Sequence, residues 1–195
     1  MKRDERPILF DADIRLLLFD YLDFTYAKVR TFEEKVVGKS RSDVVVLLPD
    51  KIVGVEIKSD ADSYTRLSGQ VESYDRYFDE NYILIGESHK KHAEEHIPSY
   101  WGILYADQTE EEPIIRELRA PSANPKVKIR SQLSFMWRSE LSSLMKKNSL
   151  PAYRGKSRKF VTDTLIQKVD GKKLKEQMCD ILFERDYSIF EKNDD

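Results

Sequence analysis

Three charged residues lie within two short apolar segments of this chain. Asp43 opens the first segment, and Glu56 and Lys58 close the second. Burying a carboxylate or an ammonium group is unfavourable unless the group is paired or binds a metal. Two carboxylates and an amine on neighbouring strands could bind a divalent cation and, with its help, hydrolyse a phosphate ester. The spacing of these residue types therefore predicts a chemical site.

The two apolar segments flank a Pro-Asp turn signal, which predicts a β-hairpin. With the turn centred on residues 49–50, cross-strand partners have residue numbers that sum to 99, and Asp43 lies opposite Glu56. The Cβ atoms of opposite residues in an antiparallel pair are about 4.5–5.5 Å apart, a distance at which two carboxylates can share one cation. A shift of one residue in the register would separate them.

Side chains along the second strand point alternately to the two faces of the sheet, and this alternation predicts which of them share a face with Glu56. Lys58 follows by two positions and points to the same face, whereas Ile57 points into the core. The neighbouring carboxylate predicts a raised pKa for Glu56 in metal-free protein. The alternative to a chemical site is a structural ion-pair network at a strand end.

The remaining apolar patterns predict the elements that position this hairpin. An amphipathic helix and a strand precede it, and a second helix followed by a buried strand comes after it. Beyond residue 120 the pattern is helical. The predicted helices are residues 11–24, 64–79, 88–96, 131–147, 159–169 and 172–185, and the predicted strands lie within 26–37 and at 43–48, 52–58, 82–86, 101–106 and 113–118.

The composition is that of a globular protein, with 40% apolar and 35% charged residues. The longest apolar runs are only a handful of residues, so no membrane span and no membrane partner are predicted. The first residues lack the apolar stretch of a secretory signal. Cys179 is the sole cysteine, which excludes an intrachain disulfide and a cysteine-rich zinc site. We therefore expect a cytoplasmic protein.

Charge is distributed unevenly along the chain. Residues 1–120 carry 17 Lys and Arg against 25 Asp and Glu, whereas residues 121–175 carry 14 against 3. Together with the segment 121–125, which contains two prolines, this contrast predicts two domains, residues 1–120 and residues 121–195. The basic domain is predicted to bind nucleic acid through a dense cluster of cations, which consists of Arg154, Lys156, Arg158 and Lys159.

Two further groups have both a functional and an ordinary interpretation. Tyr153 and Phe160 lie beside the basic cluster and could stack on bases, although a charge run is most often a solvated face. Three histidines share a helix face and could suggest a metal site, but no fourth ligand is evident and an exposed polar helix is favoured. These histidines are His89, His92 and His96.

The hairpin and its charged residues resemble the PD-(D/E)xK nuclease superfamily. The matching residues are Asp43, Glu56, Ile57 and Lys58, with Ser42 in the position that gives the superfamily name its proline. The resemblance covers about residues 11–86. It implies an α/β fold with a restriction-endonuclease-like αβββαβ core and a mixed central sheet, here followed by a basic helical region.

The resemblance also implies roles for two residues outside the hairpin. Many members of the superfamily place a glutamine on the helix after the lysine strand, and Gln70 matches that place. It would position Lys58 or the nucleophile. Several members carry a further acid upstream, for which Glu33 and Glu34 are candidates and Glu34 is preferred. That acid would complete the metal shell or bind a second metal.

What the resemblance implies chemically is Mg²⁺-dependent hydrolysis of DNA, with Mn²⁺ as a substitute ion. Asp43, Glu56 and the carbonyl of Ile57 would bind the cation, and Lys58 would orient the attacking water or neutralise the phosphate. The biological setting would be repair, recombination, restriction or phage DNA processing. Endonucleolytic cleavage of duplex DNA would favour a homodimer. The alternatives are a catalytically inactive nucleic-acid-binding or assembly module on the same fold, and hydrolysis of RNA.

Overall fold

The structure of the chain is a computed structural model that describes residues 9–186. The chain divides into two compact units. Among the described residues, the first unit contains residues 9–48 together with Ile52–Val127, and the second contains Pro49–Lys51 and residues 128–186. None of the helices in the described part of the chain is long and apolar enough to cross a membrane.

The first unit is an α/β structure. Its helices are α1 (Asp11–Thr25), α2 (Leu67–Tyr77) and α3 (Ala93–His96), with 3₁₀ turns at Tyr64–Arg66 and Glu87–His89. Its strands are β1 (Arg30–Val37), β2 (Ser40–Leu47), β3 (Ile52–Lys58), β4 (Glu80–Ile85), β5 (Gly102–Gln108) and β6 (Pro113–Arg119). The predicted α/β class and the αβββαβ order of the elements up to β4 are confirmed. The predicted helix at 88–96 is replaced by a 3₁₀ turn and a single helical turn.

The six strands form one mixed sheet in the order β1-β2-β3-β4-β5-β6. β1, β2 and β3 pair antiparallel, β3, β4 and β5 pair parallel, and β6 is antiparallel to β5. A parallel pair needs a crossover connection, which α2 supplies between β3 and β4. The change from antiparallel to parallel pairing therefore occurs at β3, the strand that carries Glu56 and Lys58.

Helix α1 covers one face of the sheet because its apolar residues recur every four positions. Ile14, Leu18 and Leu22 are buried on that stripe. They belong to a hydrophobic core that also contains alternate residues of the central strands, among them Val44, Val46, Val53, Val55 and Ile57. The prediction that Ile57 anchors β3 in the core is confirmed, since its side chain is 2% exposed.

The opposite face of the sheet packs against α2 at very short distance. A Cβ atom on Gly54 of β3 would lie 2.2 Å from Cδ2 of Phe78, so the absence of a side chain makes room for this ring. Tyr74 is fully buried and contacts the rings of Phe78 and Trp101. The glycine therefore fixes how closely α2 and β3 approach each other.

The second unit is helical. Its helices are α4 (Ile129–Gln132), α5 (Arg138–Lys147), α6 (Arg158–Lys168) and α7 (Gly171–Phe183), with a 3₁₀ turn at Leu133–Phe135. The predicted continuous helix at 131–147 is wrong, because the chain is extended at Met136 and Trp137. Two arginines stabilise this break. Arg158 donates to the carbonyl of Met136 at 2.6 Å, and Arg185 pairs with Glu140, which caps the backbone nitrogen of Trp137.

Candidate active site

An open cleft with a volume of about 1070 Å³ lies in the first unit, beside the ends of β2 and β3. The start of α1, the β1–β2 hairpin and one face of α2 complete its walls. Asp43, Glu56, Lys58 and Gln70 are all part of its lining. Four of the residues that the sequence singled out therefore share one concave surface.

The predicted register of the β2–β3 hairpin is confirmed. Val44 pairs with Val55, and the next step of the same register brings Asp43 opposite Glu56. Backbone pairing between the two strands ends at Val44 and Val55. Beyond that pair the side chain of Asp43 joins the strands, because its Oδ2 accepts a hydrogen bond from the backbone nitrogen of Ile57 at 2.7 Å. The Asp43 carboxylate is therefore held where the pairing between β2 and β3 ends.

Glu56, Lys58 and Gln70 form a connected group on the α2 side of the sheet. Lys58 Nζ lies 2.5 Å from Glu56 Oε1 and 3.4 Å from Gln70 Oε1. Glu56 is fully buried and Lys58 is 7% exposed. The second carboxylate oxygen, Glu56 Oε2, is buried and has no hydrogen-bond partner among the described residues. A buried carboxylate oxygen without a donor is unfavourable, and Glu56 is one of the residues that line the cleft.

The electrostatics of the site are those of two carboxylates in a poorly solvated place. Burial, followed by the charge of Glu56, raises the pKa of Asp43 to about 7, against the opposing effects of the Ile57 amide and Lys58. Burial raises the pKa of Glu56 and Lys58 opposes it. The sequence predicted the raised pKa of Glu56 and attributed the rise to the second carboxylate, whereas in the structure burial is the cause that raises it.

Glu34 lines the same cleft, yet arginines hold its carboxylate. Arg41 Nε lies 2.6 Å from Glu34 Oε2, and Arg15 Nη2 lies 3.4 Å from Glu34 Oε1. Glu34 also has a φ of 54°, a left-handed conformation that is uncommon outside glycine. Within residues 9–186 no group of three or more His, Cys, Asp and Glu side chains is placed to hold a metal. Glu34 is thus near Asp43 and Glu56 but does not join them.

Arg15 and Tyr74 belong to the site but were not singled out as functional from the sequence. Arg15 donates to the carbonyl of Asp43 at 3.0 Å and pairs with Asp11 and Glu33 at 2.9 and 3.2 Å. The sequence contained one signal for Arg15. Asp11 and Arg15 are a charged pair four residues apart, on the same helix face as the apolar residues 18 and 22 that pack on the sheet.

Tyr74 lies on the buried side of α2, and its hydroxyl has a role beyond packing. The hydroxyl accepts a hydrogen bond from the backbone nitrogen of Asp43 at 3.1 Å and donates to the carbonyl of Val55 at 3.3 Å. Burial, followed by the charges of Glu56 and Asp43, raises the pKa of Tyr74 well above its usual value. The hydroxyl therefore stays protonated and ties α2 to both strands of the hairpin.

The basic cluster of the second unit is exposed at all four predicted positions, which are Arg154, Lys156, Arg158 and Lys159. Three of its cations have partners within the unit, and one of these is Lys156, whose Nζ lies 5.5 Å from the centroid of the Phe160 ring. Arg158 holds the carbonyl groups of residues 133, 134 and 136, and Lys159 pairs with Asp163 at 2.7 Å. Tyr153 and Phe160 contact each other edge to face, with ring centroids 5.0 Å apart, so their rings already have an aromatic partner.

The three histidines of the first unit do not converge on one point. His89 is buried against the carbonyl of Ser59 at 3.0 Å, and His92 contacts Glu95 at 3.0 Å. His96 stacks on Tyr64 with ring centroids 4.0 Å apart. The separate partners agree with the ordinary interpretation of these residues, although His89 lies in the interior and not on an exposed face.

Comparison with known proteins gives one finding. The sequence matches the family described as bacteriophage P4 protein cII over residues 9–193, which includes the cleft and the whole helical unit. No curated protein and no solved structure matches the chain.

Proposed function

Given that the chain belongs to the bacteriophage P4 protein cII family, we propose that it is a metal-dependent nuclease that hydrolyses phosphodiester bonds in DNA. The setting we propose is phage DNA processing, recombination, repair or restriction, and of this the family description reflects only the link to a phage. The proposal relies on one observation above all. Glu56, fully buried and with one oxygen lacking a donor, shares a cleft with Asp43 and Lys58.

The proposal includes membership of the PD-(D/E)xK superfamily and a restriction-endonuclease-like core. The order αβββαβ, the mixed sheet and the confirmed hairpin register support it. Further support comes from Gln70, which approaches Lys58 from the helix that follows the lysine strand. Physical proximity of these groups, and not the short sequence motif, gives the resemblance its weight.

The residues of the cleft fit a small divalent cation. The available ligands are carboxylate oxygens of Asp43 and Glu56 with the backbone carbonyl of Ile57, and hard oxygen donors of this kind suit Mg²⁺. Mg²⁺ is commonly held by one or two carboxylates, its own waters and substrate phosphates, so a third acid is not required. The partnerless oxygen of Glu56 and the raised pKa of Asp43 both indicate negative charge that a cation would stabilise.

A bound cation would supply an acidified water and charge neutralisation at the phosphate. The chain's own residues supply the remaining requirements. Asp43 and Glu56 would hold the cation. Lys58, as a buried ammonium group, would stabilise the negative charge that develops on the phosphate oxygens. Gln70 would keep Lys58 directed into the cleft, and Tyr74 fixes the main chain of Asp43.

The test is cleavage of labelled duplex DNA, single-stranded DNA and RNA with Mg²⁺, with Mn²⁺ and with EDTA. We expect metal-dependent cleavage that is lost in Asp43→Asn and in Lys58→Ala while binding survives. Lys91→Ala and Glu94→Gln, which change exposed residues away from the cleft, are the matched controls and should cleave normally. Absence of cleavage with every ion, or cleavage that persists in the cleft variants, would contradict the proposal.

A nucleic-acid-binding module without turnover is a second candidate, and one contact favours it. Lys58 Nζ lies 2.5 Å from Glu56 Oε1, so the amine already neutralises part of the carboxylate that a cation would need. If this pair is permanent, the site binds a phosphate but does not activate water. Purified protein that binds DNA and cleaves neither DNA nor RNA with any divalent ion would select this candidate.

A further inference from the structure

The cations that line the cleft fall into two groups. Arg15, Arg41 and Lys58 form ion pairs with acids of the cleft. By contrast, Lys39, Arg66 and Arg76 are exposed, and their side chains form no ion pair or hydrogen bond with any residue between 9 and 186. An unpaired lysine or arginine beside a buried acidic site remains available to an anionic ligand.

The three unpaired cations are arranged around the chemical residues. Arg66 and Arg76 belong to one stripe of α2 and its preceding turn, together with Gln70 and Ser73. At 1.5 Å of rise per residue the two arginines are about 15 Å apart along the helix axis. Gln70, the partner of Lys58, lies between them.

Lys39 lies on the β1–β2 hairpin, which forms a second part of the cleft wall. It follows Gly38, whose φ of 63° makes the tight turn between β1 and β2. The hydroxyl groups of Ser40 and Ser73 are 2.9 Å apart and hold this hairpin against α2. Lys39 and the two arginines of the helix therefore occupy two walls of one cleft.

The surface between these cations is open at Gly69. A Cβ atom there would meet no other atom within 4 Å, so no packing contact requires a glycine. Glycine is disfavoured inside a helix, and its usual justification is close approach of a backbone or a ligand. Gly69 also lines the cleft beside Gln70. The missing side chain leaves room for a ligand to lie directly against the helix.

We propose that Lys39, Arg66 and Arg76 form a phosphate-binding rim that holds the backbone of a DNA strand across the cleft. This inference rests on the proposed function, because it treats the cleft as the place where the phosphodiester is presented. At 3.4 Å per nucleotide, a spacing of about 15 Å corresponds to about four nucleotides of a duplex strand. The rim, and not only the basic cluster of the second unit, would provide the phosphate contacts of the substrate.

The test is equilibrium binding of a fluorescein-labelled 20-base-pair DNA in EDTA, measured by anisotropy over a series of salt concentrations. The logarithm of the association constant falls linearly with the logarithm of the salt concentration, and each phosphate contact to duplex DNA adds about 0.9 to the magnitude of this slope. The variant Lys39→Ala/Arg66→Ala/Arg76→Ala should therefore reduce the magnitude of the slope by about 2.7. It should also weaken binding at low salt by about tenfold. Glu72→Gln, which removes a negative charge from the same cleft, should strengthen binding.

Two controls show whether a loss of binding arises at the rim. Lys91→Ala should bind as the wild type does, and circular dichroism should show that the triple variant is folded. If the triple variant binds DNA with the affinity and the salt dependence of the wild type, the proposed phosphate-binding rim is wrong. This holds even if the wild type cleaves DNA. If the wild type binds DNA through the rim but does not cleave it, the nuclease proposal is wrong and the rim is a binding surface alone.

Discussion

The carboxylate of Asp43 accepts a hydrogen bond from the backbone nitrogen of Ile57 at 2.7 Å and thereby replaces the next carbonyl of the β2–β3 ladder. The two strands remain joined at the point where their backbone pairing ends. The same bond holds Asp43 beside Glu56, whose charge helps to raise the pKa of Asp43. The stability of the metal-free protein should consequently depend on the protonation of this residue.

We expect stability to fall as the pH rises towards and through 7. The pKa of Asp43 is about 7 in the folded chain and 3.8 when unperturbed, so the folded state binds more protons between these values. Its favourable contribution is complete below the unperturbed pKa and is lost as the pH rises through the folded pKa. Asp43→Asn, which keeps an oxygen acceptor for Ile57, should remove part of this dependence. Urea unfolding in EDTA at pH 5 and pH 8 measures it, and equal slopes for both proteins would contradict the prediction.

Divalent cations should reverse that loss of stability at neutral pH. A ligand that binds only the folded state stabilises it by about RT ln(1 + [L]/Kd), so the midpoint of thermal unfolding should rise with Mg²⁺ or Mn²⁺ concentration. Glu56→Gln and Asp43→Asn should show a smaller rise, because each removes one carboxylate of the cleft. Glu94→Gln is the control and should respond as the wild type does. An unfolding midpoint that is indifferent to both ions would count against the metal site.

Removing Lys58 should destabilise the protein more than removing the whole ion pair. Lys58→Met leaves Glu56 buried beside an apolar side chain, and loss of one partner of a buried pair costs about 3–5 kcal/mol. The double variant Glu56→Gln/Lys58→Met removes both charges and should recover much of the loss. Chemical denaturation at pH 7 gives the comparison. Equal stability of the single and double variants would mean that the pair is not the source of the effect.

Two glycines provide a matched pair for testing the packing of α2. Gly54→Ala would put a Cβ atom 2.2 Å from the ring of Phe78, and overpacking of this kind costs about 1–3 kcal/mol. Gly69→Ala meets no atom and sits in a helix, where alanine is favoured by about 1 kcal/mol. The first variant should lower the free energy of unfolding and the second should raise it. The same sign for both would contradict the packing described for this helix.

The first unit could be predicted well because its signals are local. Alternation, a Pro-Asp turn and a stripe of apolar residues were enough to locate the hairpin and the helices that precede and follow it along the chain. The register followed from the turn centre alone and brought Asp43 towards Glu56. The alternation of side chains along a strand placed Lys58 on the same face as Glu56. Gln70, on the helix that follows, contacts Lys58 in the structure.

What escaped prediction depends on contacts between distant residues. The helix at 131–147 breaks at Trp137 because Arg158 and Arg185, far along the chain, bind the carbonyl groups and the acid around the break. The two-arginine environment of Glu34 likewise combines a residue of α1 with one of β2. Local periodicity carries no information about such partners.

Tyr74 has a consequence for how the cleft would respond to an occupant. The helix that presents Gln70, Arg66 and Arg76 also carries the hydroxyl that holds the main chain of Asp43 and Val55. A shift of this helix would therefore act on the main chain of both strands at Asp43 and Val55, directly beside Glu56. An occupant that binds Arg66 and Arg76 would in this way affect the position of the acids as well as that of the helix.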